Sequence, residues 1–136
     1  MDSNARRSLI HDLYGVSIEK SAERQSRKGQ IGMAKSIIQA HTDRQNRECF
    51  LCRLESSANL PHTGLEKHHF IHGTANRRLA EHWGLWGYLC QLHHYEIHNK
   101  DREKDLFLMQ VAQGRFEQLY GHEKWMEVFG KNYLIM

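Results

Sequence analysis

Hydrophobic positions change spacing several times along the chain, and each change predicts an element. Over residues 4–14, Leu9, Ile10, Leu13 and Tyr14 share one helical stripe, whereas residues 19–30 (EKSAERQSRKGQ) offer almost nothing to bury. The first pattern predicts a helix, the second an exposed helix or linker. Ile31, Met33, Ile37, Ile38 and His41 recur near the helical period and predict a helix near 31–43. Such short elements are marginal alone in water, so they are expected to dock on the rest of the chain or on a protein partner.

From residue 48 onward the character differs. The string CFLC (49–52) precedes polar ESSANLPHTG, where the single proline, Pro61, and Gly64 mark a loop. Leu65–Ile71 reads as a short strand left by a turn at Gly73-Thr74-Ala75-Asn76, and residues 76–83 have helical character. Leu85–Leu89 is apolar and aromatic enough for a second strand returning to the first, and a helix should begin near Cys90 or Gln91. After His98, Leu108, Ala112, Phe116, Leu119 and Tyr120 lie on one helix that ends at Gly121. A last short helix from about Glu123 to Phe129 buries Trp125, Met126 and Phe129, and Gly130 ends it. The expected class is α+β, mostly helical, with a basic helical extension over 1–47 and one domain over 48–136.

Composition adds two constraints. A chain of 136 residues, 40% hydrophobic, suits one domain with a modest core that a structural metal would help hold together. No apolar run approaches bilayer length, and the N-terminal MDSNARRSLIHD lacks the apolar region of a secretory signal, so a soluble, intracellular protein is expected. Charge is unevenly spread. Residues 1–47 carry nine Lys and Arg against five Asp and Glu, an excess of +4 that leaves −1 of the net +3 for the remainder. That excess is compatible with a phosphate-rich partner and equally with a solvated helical face.

The candidate chemistry lies between Cys49 and His98. Two residues separate Cys49 from Cys52, and Cys90 and His93 repeat that spacing. Zinc takes four thiolate or imidazole ligands in a tetrahedron, and two such pairs supply it once an intervening hairpin brings them together. Three cysteines cannot all pair within a chain, and in a reducing compartment they remain thiols. The competing use is as small buried hydrophobes.

Adjacent helical side chains diverge by about 100°, so His93 and His94 are expected to serve different sites. His94 and His98 share a face and are able to hold one ion, although His98 also suits a solvated helix surface. Along a strand His68 and His69 point to opposite faces, so one is directed at a shared metal and the other is free to act as a base. A divalent ion on His68 and His94 would neutralise a phosphate under attack. Arg77 and Arg78 are placed to contact phosphates or to be a solvated pair.

With CFLC, KHHFIHGTANRR, HWGLWGYLCQLHH and the tail FEQLYGHEKWMEVFGKNYL, the chain resembles the HNH, or His-Me finger, endonucleases, and most of all small HNH-like proteins of phages and prophages. The resemblance covers roughly Cys49 to Leu134. It implies a ββα-metal core stapled by a structural zinc on Cys49, Cys52, Cys90 and His93, with helices packed around it. It further implies His68 as a catalytic-metal ligand, His69 as general base, Asn76 as the residue orienting that base through the loop backbone, His94 as the helical ligand and His98 as an additional one. Two places depart from the family pattern. Only Tyr95, Glu96 and Ile97 separate His94 from His98 where a longer glycine-containing connection is usual, and Trp86-Gly87-Tyr88 stands where many members carry the asparagine.

The expected function is hydrolysis of DNA phosphodiesters with Mg²⁺, Mn²⁺, Ni²⁺ or Zn²⁺ as catalytic ion, in a bacterial cytoplasm if phage-encoded. RNA as substrate is not separated from DNA by the sequence, and a homo-oligomer is compatible with it. The alternative is a catalytically silent, zinc-stabilised interaction or nucleic-acid-binding module, such as a regulator or inhibitor of a host protein.

Overall fold

The structure, a computed structural model, describes residues 34–55, 60–99 and 101–134. The helix expected over 4–14 and the polar segment 19–30 lie outside the described residues. Among the described residues seven elements follow in order: α1 (Phe50–Leu54), β1 (Glu66–His69), α2 (Thr74–Trp83), β2 (Trp86–Leu89), α3 (Gln91–Asn99), α4 (Arg102–Tyr120) and α5 (His122–Phe129). The described residues are α+β, about half helical, with one two-stranded antiparallel sheet. No helix among the described residues is long and apolar enough to cross a membrane.

The hairpin is paired Glu66 to Leu89, Lys67 to Tyr88, His68 to Gly87 and His69 to Trp86. Its two strands are joined by α2, which starts at Thr74, earlier than the sequence pattern suggests. Gly84 ends α2 in the left-handed region, at φ 74°, where an L side chain is strained. A Cβ there would also stand 2.2 Å from the carbonyl oxygen of Lys35, so the close approach of residues 34–39 depends on this glycine.

The helix expected near 31–43 is not formed over its described part, where residues 34–43 run without helix or strand. Side chains and the edge of the hairpin compete successfully for the backbone groups that a helix would use. The Ser36 hydroxyl accepts from the N–H groups of Ile38 and Gln39, both at 3.0 Å, and donates to the carbonyl of Trp86. Ile37 N–H donates to Gly84 O at 2.9 Å, and Trp86 Nε1 donates to Ala34 O at 3.1 Å. Gln39 bridges the carbonyl of Glu48 and the N–H of Tyr88. The segment is thus a strap along β2, and Ile38 enters the core from it.

That core joins Phe70, Ile71, Leu85 and Leu89 of the hairpin region to Leu108, Val111, Ala112 and Phe116 of α4 and Trp125 of α5, all with no exposed surface. Burial of each Val, Leu, Ile or Phe side chain among them stabilises the fold by about 1.5–3 kcal/mol. Asp101 caps α4 by accepting from Lys104 N–H, with Glu103 and Asp105 complementing the positive end of the helix in its first turn. Two buried amides then fasten the tail: Gln110 donates to Tyr133 O at 2.9 Å, and Gln113 accepts from Tyr133 N–H at 2.7 Å. With α4 anchored, its first turn is held against the turn that follows β1.

Candidate metal centres

Cys49, Cys52, Cys90 and His93 converge from two sequence-distant pairs. Cys49 caps α1, its sulfur accepting from Cys52 N–H, and this local turn sets both thiols on one side. Cys90 and His93 come from the start of α3, which β2 delivers. His93 Nδ1 lies 3.4 Å from Cys49 Sγ, 3.5 Å from Cys52 Sγ and 3.4 Å from Cys90 Sγ, and Cys52 and Cys90 sulfurs are 3.8 Å apart. Metal distances of about 2.3 Å to sulfur and 2.0–2.1 Å to nitrogen give tetrahedral edges of about 3.8 Å and about 3.6 Å. The four donors fit that figure and are able to hold a zinc ion.

The surroundings suit the same purpose. His93 Nε2 faces both carboxylate oxygens of Glu55 at 3.2 Å, which fixes the tautomer that leaves Nδ1 as the donor. Burial, together with the neighbouring thiol of Cys49, pushes the Cys52 thiol up to about 12, and burial raises Cys49 as well. These two thiols resist ionisation alone and become thiolates with a cation to balance them.

A second group of donors lies where β1 meets α3. His68 stands across the hairpin from Gly87 and is only 3% exposed, yet its Nε2 is buried without a hydrogen-bond partner among the described residues. Around it lie the rings of His72, His94 and His98, with centroids 5.3, 5.4 and 5.6 Å away. His94 and His98, one turn apart on α3, bring their Nε2 atoms to 3.0 Å. Two imidazoles bound at right angles to one ion at about 2.1 Å would show an N···N distance of about 3.0 Å. His94 Nδ1 is 2.6 Å from a carboxylate oxygen of Glu66, which leaves Nε2 as its donor atom.

The donor atoms of His68, His94 and His98 all lie within 4.8 Å of one another. Burial first, then the neighbouring imidazoles of His72 and His94, holds His68 down at about 3, so it is a neutral ring with a free lone pair. Burial and the His94 ring lower His98 as well. This set fits a divalent cation: three imidazoles, one of them buried, converge from two elements.

The remaining predicted residues take up separate positions. His69, alternating with His68 on β1, points to Glu81 of α2, with Nε2 2.8 Å from Oε1. Lys67 binds the same carboxylate at 2.9 Å, and these two partners outweigh burial in keeping Glu81 below the usual carboxylate range. Asn76 donates to the carbonyl of His72 at 2.8 Å and fastens the turn leaving β1. Arg77 and Arg78 are exposed on α2.

Comparison of the chain with protein-family models, curated proteins and solved structures gives no match.

Several participants escape a reading of the sequence. Glu55, Glu66 and Glu81 look like surface charges until the fold aims them at His93, His94 and His69. His72 sits inside the string KHHFIHG and is visible only as one more histidine. Its partner Asp105, 33 residues on, gives no local signal.

Proposed function

We propose that this chain is a metal-dependent endonuclease of the HNH, or His-Me finger, type that hydrolyses DNA phosphodiester bonds. The observation that carries the reading is the buried, unpartnered Nε2 of His68 beside the His94–His98 pair. A divalent ion held by these three histidines would neutralise the scissile phosphate and the leaving oxygen.

The chain's own contribution begins at His69. With Nε2–H donated to Glu81, its Nδ1 is the unprotonated nitrogen and takes a proton from the attacking water. Glu81 holds the tautomer and stabilises the imidazolium that results, as a carboxylate does for a histidine base in other hydrolases. Asn76, by fixing the carbonyl of His72, sets the direction in which the chain leaves β1 and hence the position of His69 at its end. Arg77 and Arg78 present two charges to the flanking phosphates. The Cys49, Cys52, Cys90 and His93 set holds a structural zinc that ties the helix start to the chain before β1.

Cleavage of supercoiled plasmid by purified protein tests this reading. Activity should vanish on mild chelation and return when Mg²⁺, Mn²⁺, Ni²⁺ or Zn²⁺ is restored. A second reading, a zinc-stabilised interaction module without catalysis, is favoured by Leu92 and Tyr95, large apolar side chains 64% and 55% exposed on α3. It predicts no cleavage with any of those ions.

A further inference from the structure

His72 and Asp105 hold no place in the roles above, yet the fold brings them to the histidine centre. His72 comes from the turn after β1 and Asp105 from the first turn of α4, and His72 Nε2 is in hydrogen-bond contact with Asp105 Oδ1. The His72 ring is 5.3 Å from that of His68 and 5.9 Å from that of His98. Donor atoms of His68, His72 and Asp105 lie within 4.8 Å of one another, the same span as in the His68, His94 and His98 set. Lys104, next to Asp105 in the chain, directs its ammonium to Glu96 at 3.0 Å.

We propose that His68, His72 and Asp105 form a second divalent-cation position that overlaps the first and shares His68 with it. His68 belongs to both sets, and a neutral imidazole has one lone pair, which serves one ion at a time. Occupancy of the two positions is therefore mutually exclusive. The sets also differ in chemistry. Three imidazoles suit Ni²⁺ and Zn²⁺, whereas two imidazoles and a carboxylate with open positions suit a harder ion such as Mn²⁺. A cation there would replace the hydrogen bond between His72 and Asp105, the ring carrying its N–H on Nδ1 and the carboxylate balancing the ion's charge.

The inference rests on ion binding at the histidine centre and not on hydrolysis, so it is tested by binding alone. Mn²⁺ and Ni²⁺ are titrated into the full chain carrying its structural zinc, with electron paramagnetic resonance and calorimetry as readouts. The parent should bind one Mn²⁺. Asp105→Asn should weaken Mn²⁺ binding about 10- to 100-fold while changing Ni²⁺ binding by less than about threefold, and His98→Ala should do the reverse. His68→Ala should weaken both. His72→Gln, with an unchanged melting temperature as control, serves as a second variant and should follow Asp105→Asn. Equal Mn²⁺ affinity in parent and Asp105→Asn, no Mn²⁺ binding by the parent, or two Mn²⁺ bound together would overturn the proposal. Plasmid left intact while the Mn²⁺ pattern holds would refute the nuclease reading and leave this inference standing.

Discussion

His93 and His94 are chain neighbours whose rings belong to different donor sets: His93 Nδ1 lies 3.4 Å from Cys90 Sγ, and His94 Nε2 lies 3.0 Å from His98 Nε2. A helix turns about 100° per residue, so one short helix separates a sulfur-rich site from an imidazole site without any further element. His93→Ala should lower the melting temperature by about 10 °C or more, because structural zinc binding is folding free energy. His94→Ala should leave melting nearly unchanged and weaken binding of a second metal. Equal melting temperatures for the two variants would show that the sites are not divided this way.

Zinc itself is the next expectation. Elemental analysis should give one tightly held zinc per chain, resistant to brief chelation, and Cys90→Ser should lower both zinc content and melting temperature. Protein that contains no zinc and melts as the Cys90→Ser variant does would contradict the tetrahedral assignment.

The buried ring of His68 predicts how the protein stripped of cation at the histidine centre responds to pH. Its folded pKa is held at about 3, against about 6.5 in an unfolded chain. The unfolded state then binds the extra proton first, so this stabilising contribution is present above about pH 6.5 and is lost as pH falls toward 3. His72 runs the other way, since its bond to Asp105 raises it and favours the protonated ring below about pH 6.5. Denaturant midpoints should drop less between about pH 7 and about pH 5 in His68→Leu than in the parent. Parallel curves for the two would refute the burial argument.

Glu81 is predicted to act through His69 as a positioning residue. His69→Ala should reduce cleavage by about 10²–10⁴-fold, while Glu81→Gln should give a smaller loss in kcat and shift the ascending limb of the pH–rate profile. Unchanged pH dependence in Glu81→Gln would assign Glu81 a merely structural role with Lys67.

The hairpin and the helix that follows were legible because strand alternation and the repeated spacing of Cys49/Cys52 and Cys90/His93 are local signals, fixed by geometry over a few residues. Divergence of His93 from His94 was legible for the same reason. The strap was not: Ile37 and Ile38 satisfy a helical stripe and a strap equally, and the choice is made by Ser36 and Gln39 bonding to Trp86, Glu48 and Tyr88 far along the chain. The helix Phe50–Leu54 is too short to show periodicity. His72 with Asp105, and the three glutamates that hold the histidine tautomers, depend on contacts between distant elements that no spacing encodes.

Metal-restored plasmid cleavage by the parent and by His68→Ala, each with its zinc content verified, tests the central claim most directly. The account predicts that the chelated parent regains nicking or cutting with at least one divalent ion, whereas His68→Ala keeps its zinc and its fold but remains inactive at the same ion concentration. Cleavage by His68→Ala at the parent's rate, or a parent that cuts with none of the ions, would contradict it.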